Sequence, residues 1–347
     1  MVHLLHHIPT STTIDLGQWD GNSLATAMRC SKAADTPWWL IASIDRFVVL
    51  IFAAIKLRKD DEPVMRIMPG FLAQLALSHS KHLKAFPREV EKSAVNMWGH
   101  ILGVFNAECP TLSKHSMSIF RTLLPHALRV LVWARQQLMR CVLQVVAFGL
   151  QCDHASSNTV LSTNTGMVIA IGNCLSVPDY QIQQLGVHIL LRMAPYLTAD
   201  MLISALPSVF RTHWSRLPTL PTPNNASVVR NVLMSCNMDN TDRDSAVLSL
   251  KVRNSIITTT GYSTTGYNAE HDLNIVWFDV GSYYITCEHG PPQDDEEGLE
   301  ILLSDVRAIH FVESTESGVL HMELQFSCSF LAKVLYDEQT ESINRVH

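Results

Sequence analysis

The sequence predicts an α+β multidomain fold, in which a stack of α-helices over residues 1–240 precedes a small antiparallel β module over residues 241–347. Upstream of residue 240, apolar residues recur every three to four positions, as on one stripe of a helix. Downstream they alternate, as on one face of a strand. Charge changes at the same place, since residues 1–240 carry 20 Lys and Arg against 14 Asp and Glu, and residues 241–347 carry 6 against 18. The two parts therefore differ in architecture.

The composition indicates folded domains. Of the 347 residues, 47% are apolar and only 17% are charged, which excludes a disordered chain. The eight cysteines include no Cys-x-x-Cys pair, so we expect reduced, buried thiols and a cytosolic or nuclear protein.

The apolar run 38–57 holds Asp45 and Arg46 near its middle, where each would cost about 2.5–3.5 kcal/mol in a bilayer. A buried helix is favoured there, and no membrane partner is expected.

Proline, serine and threonine mark the starts of successive predicted helices. Before the polar stretch 153–165, the predicted helices run from Thr36-Pro37 to about Lys59, from Pro69-Gly70 onward, from Pro87 onward, from Ser113 to Pro125, and from His126 to Leu150. After it they run over 160–175, from Pro178-Asp179 onward, from Thr198 to about Trp214, and over 226–237. The tryptophans at 38, 39, 98 and 133 fall in apolar stripes and are predicted to be core residues.

About ten helices joined by short loops are what an armadillo- or HEAT-like stack requires, because each helix pair buries its apolar face only against its neighbours. An irregular globular bundle is the alternative.

Residues 241–347 predict an antiparallel β module. The predicted strands are 245–252, 255–260, 273–280, 283–288, 299–303, 306–312 and 318–326, with a short hairpin at Gly281-Ser282. Seven short strands indicate a small sandwich or barrel.

Three segments resemble the N-terminal region of the synaptonemal complex protein 2 family. Asp179–Met193 resembles a late helix of that region, Ile275–Ile285 resembles its Trp-x-Asp-Phe-x-x-Gly-Ser hairpin, and Ile301–Phe326 resembles its next strands in order and spacing. The resemblance covers residues 179–326 and is architectural before them. It implies an armadillo-like domain packed against a module of pleckstrin-homology type, similar to the middle domain of a histone chaperone.

The same resemblance implies a non-enzymatic scaffold of the chromosome axis or kinetochore. Members of the family act near centromeres and assemble through a C-terminal coiled coil, which this chain does not contain. Divergent relatives are kinetochore components of kinetoplastids, and this sequence is more similar to those. The implied location is the nucleus, at the centromere, and the implied partners are other kinetochore or chromosome-axis proteins. A mitotic and a meiotic role both stay open, as does direct binding to nucleic acid.

Catalytic and cofactor motifs are missing from the sequence. There is no phosphate-binding glycine loop, and Gly261–Gly266 has the wrong spacing for a nucleophile elbow. His79 and His82 lie three apart without a third ligand nearby, and Cys152-Asp153-His154 places a nucleophile beside a base in a way that rarely serves one substrate. We therefore expect no metal, no cofactor and no enzymatic activity.

Two charged groups are candidate partner-binding sites. Asp294, Asp295, Glu296 and Glu297 form an acidic loop, which is either a solvated hairpin tip or a contact for a histone or another basic peptide. Arg129 and Arg140 are eleven residues apart and lie on nearly one face of the predicted helix 126–150. They are either ordinary scaffold surface or a contact for an acidic or phosphate-bearing partner. A histone- or peptide-binding adaptor that uses the acidic β module is accordingly the alternative function.

Overall fold

A computed structural model describes residues 62–85, 87–105, 110–152, 165–218, 226–239, 248–251, 256–258, 270–272, 275–281, 284–289, 299–313 and 320–326. By their contacts the described residues divide into a helical unit and a strand unit. The change from helices to strands is as predicted. The predicted domain boundary at residue 240 falls on 240–247, outside the described residues, and stays a prediction.

Nine α-helices lie within the described ranges. They are α1 Glu62–Ala85, α2 Pro87–Phe105, α3 Pro110–Leu131, α4 Gln136–Cys152, α5 Thr165–Asn173, α6 Tyr180–Met193, α7 Ala199–Ala205, α8 Ser208–His213 and α9 Ala226–Asp239. Short 3-10 turns follow three of them, at Cys174–Ser176, Ala194–Tyr196 and Trp214–Arg216.

The helices of the first half pack in two layers. α1 packs on α3 and α2 packs on α4, while α1 also contacts α2 and α3 contacts α4. Among these four helices, α1 therefore contacts both α2 and α3, and α4 contacts the same two helices. Apolar side chains fill the interior, and Trp98 and Phe120 are among the largest that are fully buried. Complete burial of such side chains contributes about 1.5–3 kcal/mol each, which makes this packing the main source of stability.

Two prolines lie inside helices, although Pro69 was predicted to mark a helix start and Pro125 a helix end. Pro69 is within α1 and Pro125 is within α3. A proline in a helix interior costs about 3 kcal/mol, because it lacks an N–H donor and crowds the preceding turn. Residues next to both prolines are almost completely buried: Met68, Phe71, Leu72, Leu123, Leu124 and Ala127. Their burial offsets the cost, and the helices continue.

The predicted helix 126–150 is instead divided between two helices. α3 ends at Leu131, where the Trp133 N–H donates to the Val130 carbonyl over 3.0 Å, and α4 begins at Gln136. Residues 132–135 contain neither glycine nor proline, so the sequence gives no sign of this break.

Later helix starts follow local signals. Thr198 caps α7, because its side chain accepts a hydrogen bond of 3.2 Å from the Met201 N–H. The predicted helix from Thr198 to about Trp214 is divided by Pro207, which precedes α8. Gly172 in α5 allows a close approach, since a Cβ atom there would collide with the backbone carbonyl of Ala205 in α7.

Eight strands lie within the described ranges. They are β1 Leu248–Lys251, β2 Ile256–Thr258, β3 Glu270–Asp272, β4 Ile275–Val280, β5 Tyr284–His289, β6 Leu299–Leu302, β7 Val306–Glu313 and β8 Leu320–Phe326. β1, β4, β5 and β6 form an antiparallel sheet in the order β1-β4-β5-β6, and the pairs β2–β3 and β7–β8 form separate antiparallel ladders. All seven predicted strands are present. β3 was not predicted, because its sequence Glu-His-Asp lacks the apolar alternation of a strand.

Register explains the core of the four-stranded sheet. Phe278 pairs with Cys287, and Ile285 pairs with Ile301. Because alternate residues of a strand share a face, these four side chains meet on one face, and all are buried. Asp279 follows Phe278 on β4 and therefore belongs to the opposite face, yet it is also buried.

Several sequence predictions lie outside the described residues. These are the helix from Thr36 to Lys59 with Trp38 and Trp39, the polar stretch 153–164, the acidic loop at 294–297 and the segment 329–337. Of the helices that the structure describes, none is long and apolar enough to cross a membrane.

Candidate partner-binding surface

The two predicted arginines do not share a helix face. Arg129 is exposed in the last turn of α3, whereas Arg140 lies in α4 with only 8% of its surface accessible. The prediction that they form one surface was wrong, because it assumed a continuous helix across residues 132–135. Whether either arginine binds a partner stays a prediction. The acidic group Asp294, Asp295, Glu296 and Glu297 lies outside the described residues.

The break between α3 and α4 instead exposes two large apolar side chains. Val132 is 60% exposed and Trp133 is 44% exposed. Trp133 was predicted to be a core residue, and this was wrong, whereas Trp98 in α2 is fully buried as predicted. Three exposed cations lie beside this turn in sequence or in space. We call the whole group the Trp133 surface: Lys84, Arg129, Val132, Trp133 and Arg135.

Side-chain contacts hold the Trp133 surface in place. The Lys84 Nζ atom lies 5.6 Å from the centroid of the Trp133 ring, within the range of a cation–π interaction. The Arg135 Nε atom lies 3.8 Å from Glu91 Oε2, and this carboxylate is much less exposed than the arginine. Lys84 is near the end of α1 and Glu91 is in α2, so both neighbouring helices support the turn.

The charged side chains of this surface are mostly basic, since Lys84, Arg129 and Arg135 are all exposed. Among the described residues, Glu91 is the one carboxylate within ion-pair distance of its cations. Burial raises the pKa of Glu91, and the charge of nearby Arg135 opposes this rise. On the same side of α3, burial and then the charge of Arg129 lower the pKa of His126.

Sequence reasoning missed Lys84, Val132 and Trp133 as surface residues. Arg135 lies within the predicted helix 126–150, together with Arg129 and Arg140. Trp133 is exposed because α3 ends at Leu131, and no neighbouring residue predicts this helix end. The position of Lys84 over its ring depends on the packing of α1 against α3, which a single sequence does not reveal.

A serine–histidine pair lies between α1 and α2. The His79 Nε2 atom is 3.1 Å from Ser93 Oγ, a distance at which a base could activate a nucleophile. Both side chains are almost completely buried, and burial lowers the pKa of His79 to about 4. No substrate could reach this serine without opening the helix packing, so the pair is structural.

A second polar cluster joins α8 to α9. The buried His213 ring lies 2.7 Å from Asp239 Oδ2 through Nε2, and Arg216 donates to its Nδ1 over 3.2 Å. Arginine is only a donor, so Nδ1 must accept and Nε2 must carry the proton that is donated to Asp239. This arrangement fixes the tautomer of the histidine and links the ends of two helices.

The remaining reactive side chains of the described residues are thiols and possible metal ligands. Cys174, Cys236 and Cys287 are free and buried, as predicted, and burial raises the pKa of each thiol to about 12. They are therefore protonated and unreactive at neutral pH. In the part of the chain that the structure describes, no three His, Cys, Asp or Glu side chains group closely enough to hold a metal ion.

The fold places the chain among proteins that combine packed helices with small antiparallel sheets. A solved structure described as a synaptonemal complex protein is similar to it, with a TM-score of 0.53 over 88% of this chain and 77% of the other. The two sequences are 10% identical, so the similarity is one of fold. At the level of the fold, the predicted resemblance to a synaptonemal complex protein is confirmed. No protein-family model and no curated protein matches the sequence.

Proposed function

We propose that the chain is a non-enzymatic scaffold of the chromosome axis or kinetochore that docks other proteins during chromosome segregation. The observation that carries this proposal is the likeness of fold to a protein described as a synaptonemal complex protein, which extends over 88% of the chain. Fold alone does not determine function. The proposal therefore also depends on the surfaces described above, which are suited to protein contacts.

Within this proposal, the helical part is armadillo-like and the strand part is a module of pleckstrin-homology type. The first assignment is supported by the two-layer packing, in which α1 contacts α3 and α2 contacts α4. Helical repeats stack in this way, because each pair of helices completes the core of the next. The second is supported by the four-stranded antiparallel sheet and the β7–β8 hairpin.

The absence of catalysis in the proposal is supported by the environment of the reactive side chains. The His79–Ser93 pair is enclosed between helices, and the thiols of Cys174, Cys236 and Cys287 are buried and protonated. Each of these groups is explained by packing or by a structural hydrogen bond. The proposed location is the nucleus, at the centromere or chromosome axis, and other axis or kinetochore proteins are the proposed partners. We also propose that the chain is related to the divergent kinetochore components of kinetoplastids.

Imaging and purification from cells test the scaffold. A fluorescently tagged copy should form centromere-like foci or axial lines during division, and affinity purification should recover chromosomal proteins as identified by mass spectrometry. Diffuse cytoplasmic signal from the unmodified chain, together with recovery of no chromosomal protein, would contradict the proposal.

The alternative function is an adaptor that binds histones or basic peptides through the strand unit. Two observations favour it: residues 241–347 carry 18 acidic against 6 basic residues, and β1 and β6 are the outer strands of the described four-stranded sheet. An extended basic peptide can add to such an edge, and its charge would be attracted to the module. Direct nucleic-acid binding is disfavoured for this unit by its negative charge.

Charge reversal distinguishes the adaptor from the scaffold. In the full chain, Asp294→Lys with Asp295→Lys should weaken binding to a histone-tail peptide, measured by fluorescence anisotropy at low salt. Asp337→Lys with Glu338→Lys makes the same change in net charge and should have a smaller effect. Equal effects, or affinity that does not fall as salt is raised, would count against the adaptor.

A further inference from the structure

The Trp133 surface combines exposed apolar area with fixed cations. Val132 and Trp133 lie side by side at the α3–α4 turn and are 60% and 44% exposed. Tryptophan and arginine are the residues that most often dominate binding energy at protein interfaces. An exposed pair of large apolar side chains with a basic border therefore has the composition of a docking site.

The surface is already organised before any partner binds. The Trp133 N–H donates to the Val130 carbonyl, which fixes the backbone of the turn, and the Lys84 ammonium holds the indole through one ring face. Arg135 is anchored by Glu91 on α2. Because these contacts restrain Trp133 and Arg135, a partner would lose less affinity to the entropy of arranging them.

The charge of the surface identifies the chemistry of the occupant. Lys84, Arg129 and Arg135 are exposed, and Glu91 alone opposes them among the described residues. An acidic peptide with one large apolar side chain satisfies both features, since its carboxylates meet the cations and its anchor covers Val132 and Trp133. Three cations are few for a nucleic acid, whose binding depends on many phosphate contacts, and a phosphate backbone would leave the apolar side chains exposed.

We propose that the Trp133 surface docks an acidic linear segment of a partner protein through one apolar anchor residue. The proposal deepens the scaffold function, on which it rests, by naming the site and the kind of segment that it accepts. The binding test uses purified full-length chain and a synthetic peptide. Its outcome is therefore independent of where the protein lies in the cell, and a failure here would leave the chromosomal role to be judged by imaging.

Fluorescence anisotropy measures the binding. The probe is a fluorescein-labelled peptide in which Asp and Glu residues surround one Phe, and a second peptide replaces this Phe by Ser. We expect saturable binding of the first peptide, with a Kd of about 1 mM or tighter. The Ser peptide should bind roughly tenfold more weakly, because the anchor is lost. A labelled single-stranded DNA probe should bind more weakly than the acidic peptide.

Matched variants locate the binding on the surface. Trp133→Ala and Val132→Asp should each weaken peptide binding roughly tenfold, whereas Tyr196→Ala, which truncates another side chain that is 47% exposed, should not change it. Val132→Asp is included because a change at this exposed position should leave the fold intact. Lys84→Glu should weaken binding more than Lys92→Glu, which makes the same change in net charge on an exposed position of α2.

Three outcomes would overturn the proposal. The first is the absence of saturable peptide binding up to about 1 mM. The second is equal loss with Lys84→Glu and Lys92→Glu, since attraction would then be general rather than local. The third is tighter binding to DNA than to the peptide, which would assign the surface to a nucleic acid.

Discussion

Gln183 and Asn237 exchange two hydrogen bonds between their side-chain amides. Gln183 Nε2 donates to Asn237 Oδ1 and Asn237 Nδ2 donates to Gln183 Oε1, both over 2.9 Å. Gln183 Nε2 also donates to the Leu175 carbonyl over 3.0 Å. Gln183 lies in α6 and is almost completely buried, while Asn237 is in the last turn of α9. The pair therefore connects α6 and α9. The Leu175 carbonyl, which can only accept, fixes the orientation of the Gln183 amide and through it that of Asn237.

Replacing Gln183 should destabilise the helical unit. Gln183→Met keeps the volume but leaves the Asn237 amide and the Leu175 carbonyl without this partner, which should lower the free energy of unfolding by about 1–3 kcal/mol. Gln184→Met changes the neighbouring residue, which is only partly buried, and should stay within about 0.5 kcal/mol. Urea denaturation followed by circular dichroism measures both.

The double variant tests whether the two amides act as a pair. Gln183→Met combined with Asn237→Leu should cost less than the sum of the two single changes, because the second substitution removes a group that the first has already left without its partner. Strict additivity in this cycle would show that the amides stabilise the fold independently.

Gly172 and Gly99 should respond in opposite ways to alanine. Gly172→Ala places a Cβ atom against the Ala205 backbone, which cannot move without displacing α7, so we expect a loss of about 1–3 kcal/mol. Gly99 is exposed in α2 and nothing lies within 4 Å of the added Cβ atom, so Gly99→Ala should stabilise by about 1 kcal/mol. Thermal denaturation compares them, and a stabilising Gly172→Ala would contradict the close contact between α5 and α7.

Helix starts could be predicted from the sequence because their causes are local. Pro87 begins α2 and Thr198 caps α7, and both act through the backbone groups of the first turn. Strand positions were predictable for a similar reason, because alternation of apolar residues directly reflects a sheet with one buried face. The predicted helix start at Pro69 and helix end at Pro125 were wrong, because burial on both sides of each proline outweighs its local cost.

The surface was less predictable than the fold. The Trp133 surface results from the break between α3 and α4 at residues 132–135, and none of these residues is a glycine or a proline. Because α3 ends at Leu131, Trp133 is exposed and Arg129 lies on a different helix from Arg140. A single error in one helix boundary therefore changed the predicted role of three residues. The contact between Lys84 and Trp133 depends on tertiary packing between α1 and α3, and no spacing rule within one helix describes it.

His79 should make the stability depend on pH. Its pKa is lowered from 6.5 to about 4 by burial, so between these values the unfolded chain binds a proton that the folded chain does not. Stability should therefore fall as pH falls from 6.5 to 4, by up to roughly 3 kcal/mol, and should lose this dependence below pH 4. The lowered pKa values of His126 and His188, also due chiefly to burial, act in the same direction.

The variant His79→Gln isolates this contribution. Glutamine can still form a hydrogen bond with Ser93 but does not titrate, so the fall in unfolding free energy between pH 7 and pH 4 should be smaller than in the unmodified chain. Urea denaturation at a series of pH values measures it. An unchanged pH dependence in His79→Gln would mean that this histidine is already protonated in the folded protein or is accessible to water.

The cysteines should differ in their rates of alkylation. Burial raises the pKa of Cys174 and Cys287 to about 12, so at pH 8 their thiolate fraction is on the order of one in ten thousand, and their side chains are also inaccessible. Cys141 is only partly buried and should react sooner with iodoacetamide. Mass spectrometry of peptides after timed labelling gives the rate at each position. Denaturant should make the three rates equal, because the difference arises from the fold, and equal rates in the native protein would contradict the burial of Cys174 and Cys287.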